Sequence, residues 1–209
     1  MKQVPFYPNR PDDMSCMLAC IRSAMEYFTD KTYSWEEMEE LIGFKAGKAA
    51  WTVKIWTHLA KQGFDIHVIE AFDYERYQTE GRAYLESYLK PEELEWQLKH
   101  SNLLEIGPQL TEFLQLVHRE TRSPKLSDID TMLAEGRLVT VGVDSKTLNN
   151  QPGYTSHMIL VHAKEGEEYI AHDPGLQPHE NRRIPSDLLF KAMGGVGNRI
   201  EVTGIKLRK

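Results

Sequence analysis

Ser156-His157-Met158-Ile159-Leu160-Val161-His162, followed by Tyr169-Ile170-Ala171-His172-Asp173-Pro174, reads as a pair of strands. Apolar, β-branched and aromatic residues fill both runs, and Glu165-Gly166 lies between them as a turn. The pattern predicts an antiparallel hairpin over 158–163 and 168–172. Antiparallel pairing brings the start of the first strand and the end of the second to one edge. His157 and Asp173 stand at those two places.

A thiol far upstream gives that pair a partner. Pro11-Asp12-Asp13-Met14-Ser15-Cys16-Met17-Leu18-Ala19-Cys20 opens a helix expected over about 14–28. Met17, Leu18, Ile21, Ala24, Met25 and Phe28 recur at helical spacing, and Asp12, Asp13 and Ser15 are capable caps. Thiols attack carbonyls only as thiolates. The unpaired N–H groups and dipole at a helix N-terminus favour negative charge there. An imidazole then holds the thiolate as an ion pair and protonates the leaving amine, and a carboxylate fixes the imidazole's tautomer. Cys16, His157 and Asp173 are thus expected as nucleophile, base and orienting group. Cys20, one turn on beside Ile21 and Ala24, fits a core filler. His172 is a competing base, but strand alternation turns it away from Asp173. His162 reads as a packed strand histidine, and His58, His67, His100, His118 and His179 as surface residues. His172 and His179 lack tight metal-ligand spacing, so a metal site there carries little weight.

The remaining segments fall into place around these two motifs. Residues 1–13, with Pro5, Pro8 and Pro11, read as an extended lead-in. Ser34 with Glu37 forms a capping-box pattern for a helix ending near Ile42. Trp51, Ile55, Trp56, Leu59 and Ala60 predict another helix, stopped by Gly63, and 64–69 a strand. The stretch 73–122 shows helical periodicity in pieces, one started by Pro91 and another at 110–119 behind Pro108. It reads as an inserted helical segment serving as lid, substrate wall, partner surface or core extension. A short helix at 127–134, a buried strand at 138–143, a loop at 149–153, a helix at 185–193 and a strand at 199–207 complete the chain. Helices lead and strands cluster late, so the expected class is α+β with an antiparallel sheet.

Composition narrows the function. The 209 residues suit one domain with a sizeable core, here divided as a helical lobe 1–72, a helical insertion 73–125 and a sheet lobe 126–209. A net charge of −6 argues against nucleic-acid binding. No apolar run is long enough to span a membrane, and Met1-Lys2-Gln3-Val4-Pro5 lacks a signal-peptide core, which points to the cytoplasm. The cysteines, Cys16 and Cys20, do not make a secreted disulfide framework.

At these residues the chain resembles the papain-like cysteine peptidases, in the branch holding the bacterial bacteriocin-processing, double-glycine leader peptidases. Asp13-Met14-Ser15-Cys16-Met17-Leu18-Ala19-Cys20 is similar to that branch's first block. Ser156-His157-Met158-Ile159-Leu160-Val161 and His172-Asp173-Pro174-Gly175 are similar to its second. The resemblance covers the two ends, loosely 34–69, and not 73–122. It implies a papain-like fold, with a thiol-bearing helical lobe packed on an antiparallel sheet. It also implies cleavage of a peptide or amide bond through a thioester, with Cys16 as nucleophile, His157 as general base and Asp173 as orienting residue, and with no metal or organic cofactor. Two departures stand out. Met17 replaces the usual Gly, and the Gln expected ahead of the nucleophile is missing. That Gln supplies the side-chain donor of the oxyanion hole, worth about 10²–10³ in rate. Asn9 offers an equivalent amide if the segment between Pro8 and Pro11 bends over Cys16, and otherwise serves as a turn residue. Without such a donor the scaffold would serve as a peptide-binding or partner-binding module. Interception of the thioester by an amine would make it an acyltransferase.

Overall fold

The computed structural model describes residues 2–11, 15–43, 49–195 and 197–208. Helix α1 (Cys16–Thr29) buries Leu18, Ile21, Ala24 and Met25 along one side and ends at Asp30, whose φ of 56° is left-handed. Asp12, Asp13 and Met14, expected at its start, lie outside the described residues. Ser15 holds the N-cap position, but its hydroxyl makes no cap bond. The capping box does form. Glu37 N–H donates to Ser34 Oγ at 3.2 Å and Ser34 N–H to Glu37 Oε2 at 2.7 Å, opening α2 (Trp35–Ile42). Helix α3 (Val53–Lys61) leads into strand β1 (Phe64–Glu70).

The middle of the chain is helical, as its periodicity predicts: α4 (Tyr74–Glu80), α5 (Arg82–Tyr88), α6 (Pro91–His100) and α7 (Gly107–Leu116). Its apolar residues extend the core. Phe72 sits within 4.7–5.5 Å of the rings of Trp51, Tyr74, Tyr77, Tyr84 and Tyr88, mostly edge-on. The expected helix over 110–119 is too long at its end. Helix α7 stops at Leu116, and strand β2 (His118–Thr121) follows. Arg119 explains the stop, because its Nη1 donates to the carbonyls of Phe113, Leu114 and Val117 at 3.2, 2.9 and 2.8 Å. A guanidinium that caps the last carbonyls of a helix cannot itself continue it.

After helix α8 (Leu126–Ala134) come β3 (Leu138–Asp144), a short helix α9 (Ser145–Leu148), β4 (Ser156–Glu165) and β5 (Glu168–Asp173). Strand β6 (His179–Pro185), helix α10 (Ser186–Ala192) and β7 (Val202–Leu207) end the chain. The strands form one seven-stranded sheet in the order β2-β1-β7-β3-β4-β5-β6. Its pairs are antiparallel as expected, except that β1 and β2 run parallel. The sheet thus draws two strands from ahead of residue 126.

Strand alternation covers both faces of the sheet. Phe64, Ile66, Val68 and Leu160 pack with Leu18, Ile21, Met25 and Trp56 in one core. Val139, Val141, Ile159, Val161 and Tyr169 pack with Ile129, Met132 and Leu189 in another. Helix α1 lies against β4, and the Cys20 thiol donates to Met158 O at 3.5 Å. This packing holds the front end of α1 beside the open end of the β4–β5 hairpin.

Candidate active site

His157 and Asp173 meet as the hairpin reading predicts. His157 pairs with Val143 near the start of β4, and Asp173 ends β5. Register shifts after Val161 in β4 and after Ala171 in β5 adjust the twist between them. His157 Nε2 lies 2.8 Å from Asp173 Oδ1. Both residues are buried, at 9% and 3% exposure. The Cys16 side chain acts on the same imidazole and, with Asp173, favours its protonated form. With Nε2 committed to the carboxylate, Nδ1 is the nitrogen left for sulfur. The imidazole thus joins the Asp173 carboxylate to the part of the site that holds Cys16.

Three groups fix Asp173. Oδ1 accepts from His157 and from the Gly175 N–H at 3.1 Å, and Oδ2 accepts from Arg182 Nη1 at 2.6 Å. Arg182 Nη2 donates in turn to Leu148 O at 2.7 Å. Burial pushes the Asp173 carboxyl up, but His157, the Gly175 amide and Arg182 outweigh it and hold the group below its ordinary range. An ionised Asp173 then acts on the imidazole. Burial alone would draw His157 down, and Asp173 and Cys16 push it up to about 9 instead. The site thus favours the protonated imidazole over the neutral one.

The two cysteines have opposite environments. Cys16 is half-buried at the first position of α1, with no acidic side chain in that helix's first turn. Cys20 is buried, and burial, then Cys16 and Asp173, push its thiol well up. Cys20 is a neutral core residue, as its spacing suggests.

Asn9 lies at the head of α1. Its Oδ1 accepts from the Ser15 N–H at 2.8 Å and from the Arg10 N–H at 3.0 Å, and its own N–H donates to Pro174 O at 2.6 Å. The lead-in segment therefore bends back over the start of α1 and ties it to the residue after Asp173. The same arm uses His172, whose Nε2 donates to Val4 O at 3.0 Å while Nδ1 accepts from the Asn181 N–H at 3.3 Å. Burial lowers His172, which fits this neutral tautomer. It is committed to holding the arm, on the other side of β5 from Asp173. His162 is half-buried against His172, with ring centroids 4.7 Å apart.

Sequence reasoning missed Arg182. It lies in a polar strand, β6, that no apolar alternation marks, and only the β5–β6 pairing brings it to Asp173. The surface expectation for the other histidines also needs correction. His58, His67 and His100 are half-buried, while His118 and His179 are exposed.

No family model matches the chain, and no curated protein matches it. Its fold is similar to that of a solved structure from Bacillus anthracis assigned as a C39-like peptidase. The two share 13% identity and a TM-score of 0.51 over 99% of this chain and 96% of that one. That likeness shows a peptidase-like α+β fold. Among the described residues no helix is long and apolar enough to cross a membrane.

Proposed function

We propose that this chain is a cysteine hydrolase that cleaves a peptide or amide bond through Cys16, His157 and Asp173. The carrying observation is the buried His157–Asp173 hydrogen bond, with Cys16 near enough to act on the same imidazole. The Cys16 thiolate attacks the substrate carbonyl carbon, and the carbonyl π electrons move to oxygen. Collapse of the tetrahedral adduct breaks the C–N bond, and the His157 imidazolium gives its proton to the leaving amine. The resulting thioester is hydrolysed when neutral His157 takes a proton from water. The second adduct expels the thiolate and restores the ion pair. Asp173 keeps Nε2 occupied, so that Nδ1 serves sulfur and substrate throughout.

The oxyanion needs donors near the front of α1. In this reading the Cys16 backbone N–H is one and the Asn9 carboxamide the other. Ser15 N–H fixes the carboxamide by its oxygen, which orients its nitrogen. Residues 73–125 serve in this scheme as an elaboration of the scaffold, since their apolar side chains enter its core.

Thiol reactivity tests the proposal directly. Iodoacetamide is expected to label Cys16 faster than an ordinary free thiol at pH 7, and His157→Ala is expected to remove the excess rate. Labelling at the ordinary rate in both proteins would refute the ion pair. Hydrolysis in an unbiased peptide library, lost in Cys16→Ala, separates an enzyme from a binding module.

Gly175 supplies a finer test. A Cβ built there would lie 3.3 Å from Asp173 Oδ1 and 3.6 Å from His157 Nε2. Gly175→Ala should therefore press the Asp173 carboxylate by a few tenths of an ångström and, through it, disturb the hydrogen bond to His157. A drop of about tenfold in kcat/KM with little change in melting temperature is expected. Equal kcat/KM in the two proteins would mean that the pair tolerates the shift.

A further inference from the structure

The edge of the sheet opposite the hairpin carries a second cluster of chemical side chains. Strands β1 and β2 are parallel neighbours, and their register sets His67 directly beside His118. The two imidazoles stack, with centroids 4.0 Å apart and planes inclined by 21°. Glu120, two residues after His118 and so on the same face of β2, lies with Oε1 2.9 Å from His67 Nε2. One ligand atom from each of the three side chains falls within 4.8 Å of the others. No other such group of three occurs among the described residues.

We propose that His67, His118 and Glu120 bind a divalent transition-metal ion of the zinc class. Two imidazole nitrogens and one carboxylate oxygen, with a fourth position open to water, are a familiar donor set for zinc. Imidazole also selects against calcium and magnesium, which take oxygen ligands. A tetrahedral ion with bonds near 2.1 Å spaces its ligand atoms about 3.4 Å apart. His67 Nε2 and Glu120 Oε1 already stand closer than that, and exposed His118, stacked on His67, would turn its ring to bring a nitrogen to the ion. The outer support is also in place. Arg122 Nε donates to Glu120 Oε2 at 2.8 Å and is itself held by Asp128 at 2.8 and 2.9 Å, so Oε1 stays turned to the imidazoles. Arg137, whose charge reaches His67, is paired with Asp65 and Glu135.

The site would work as a clip. Strand β2 pairs with β1 alone, through four residue pairs, and closes the helical run α4–α7 onto the sheet. An ion shared by β1 and β2 would pin that closure. Strands β7 and β3 separate the cluster from the β4–β5 hairpin, so it is distinct from the thiol site.

Zinc binding to untagged full-length Cys16→Ala protein tests the site, because that variant removes the thiol as a rival ligand. Calorimetry is expected to show one ion per chain, zinc should raise the melting temperature, and cobalt should give the visible bands of a tetrahedral complex. His118→Ala and Glu120→Gln, both changes at accessible side chains, should each raise Kd at least about tenfold and abolish the thermal shift. Absence of zinc binding would overturn the proposal. So would binding that both variants leave unchanged, since the ion would then sit elsewhere, or cobalt bands that survive His118→Ala.

Discussion

His157→Ala is expected to lower kcat/KM on a cleavable peptide by about 10⁴–10⁶, as loss of one member of a catalytic unit does. The imidazole serves three ends at once: it holds the thiolate, protonates the amine and later deprotonates water. Removing it leaves Cys16 with only the helix terminus to favour its charge. The wild-type pH profile should carry the same signature. Burial alone would lower the imidazole, but Asp173 and Cys16 raise it to about 9. In the proposed mechanism the proton therefore stays on the imidazole through neutral pH and is lost toward alkaline pH. The alkaline limb of kcat/KM should fall near pH 9, as a property of the coupled Cys16–His157 pair rather than of either residue alone. In Asp173→Asn, which removes the charge that supports the imidazolium, the limb should move toward pH 6.5. An alkaline limb that stays in place in Asp173→Asn would show that the carboxylate does not hold the proton on His157.

The parts of this arrangement that were legible are those with local rules. Ser34 and Glu37 announce α2 by reciprocal capping, and the bonds form between the atoms the pattern names. The hairpin follows from apolar content and the Glu165-Gly166 turn, and its pairing joins Glu165 to Glu168. The register shift between Val161 and Ala163, which no sequence rule marks, is also needed to turn Asp173 to the face of His157. Strands β2 and β6 carry no such signal. His118-Arg119-Glu120-Thr121 and the run from His179 to Pro185 are polar edge strands, whose place is set by main-chain bonds to β1 and β5. Side-chain periodicity is silent where neither face is buried. Arg182 and the His67–His118–Glu120 cluster were invisible for that reason, because each depends on an edge-strand register. Asn9 is intermediate. Its residue type suggested an amide donor, but its position over α1 needed the arm that Val4 and His172 anchor.

Asp173→Ala is expected to cost about 3–5 kcal/mol of stability, because it strands buried cationic partners. Arg182, with 17% of its side chain exposed, would lose its carboxylate, and His157 would lose the acceptor at Nε2. Asp173→Asn separates these contacts. Its oxygen can still accept from His157 and Gly175, but its NH₂ must then face Arg182 Nη1, donor against donor. Arg182→Gln added to Asp173→Asn replaces one of those donors with an acceptor. The double variant should recover about 1–3 kcal/mol relative to the sum of the single losses. The pH dependence has a definite sign. A histidine raised from 6.5 to about 9 contributes stability that is full below pH 6.5 and is lost as pH rises through 9. A carboxyl held below 3.8 contributes stability that is present above that value and is lost as pH falls through its lowered range. The wild-type protein should thus be most stabilised by this pair between about pH 4 and 6.5, and urea unfolding at pH 5, 7 and 9 should show the alkaline decline. In Asp173→Asn that decline should begin lower, because nothing then opposes the burial of a charged imidazole except Cys16. Additive losses in the double variant, with an unchanged alkaline decline, would mean that Arg182 and Asp173 are neighbours without being coupled.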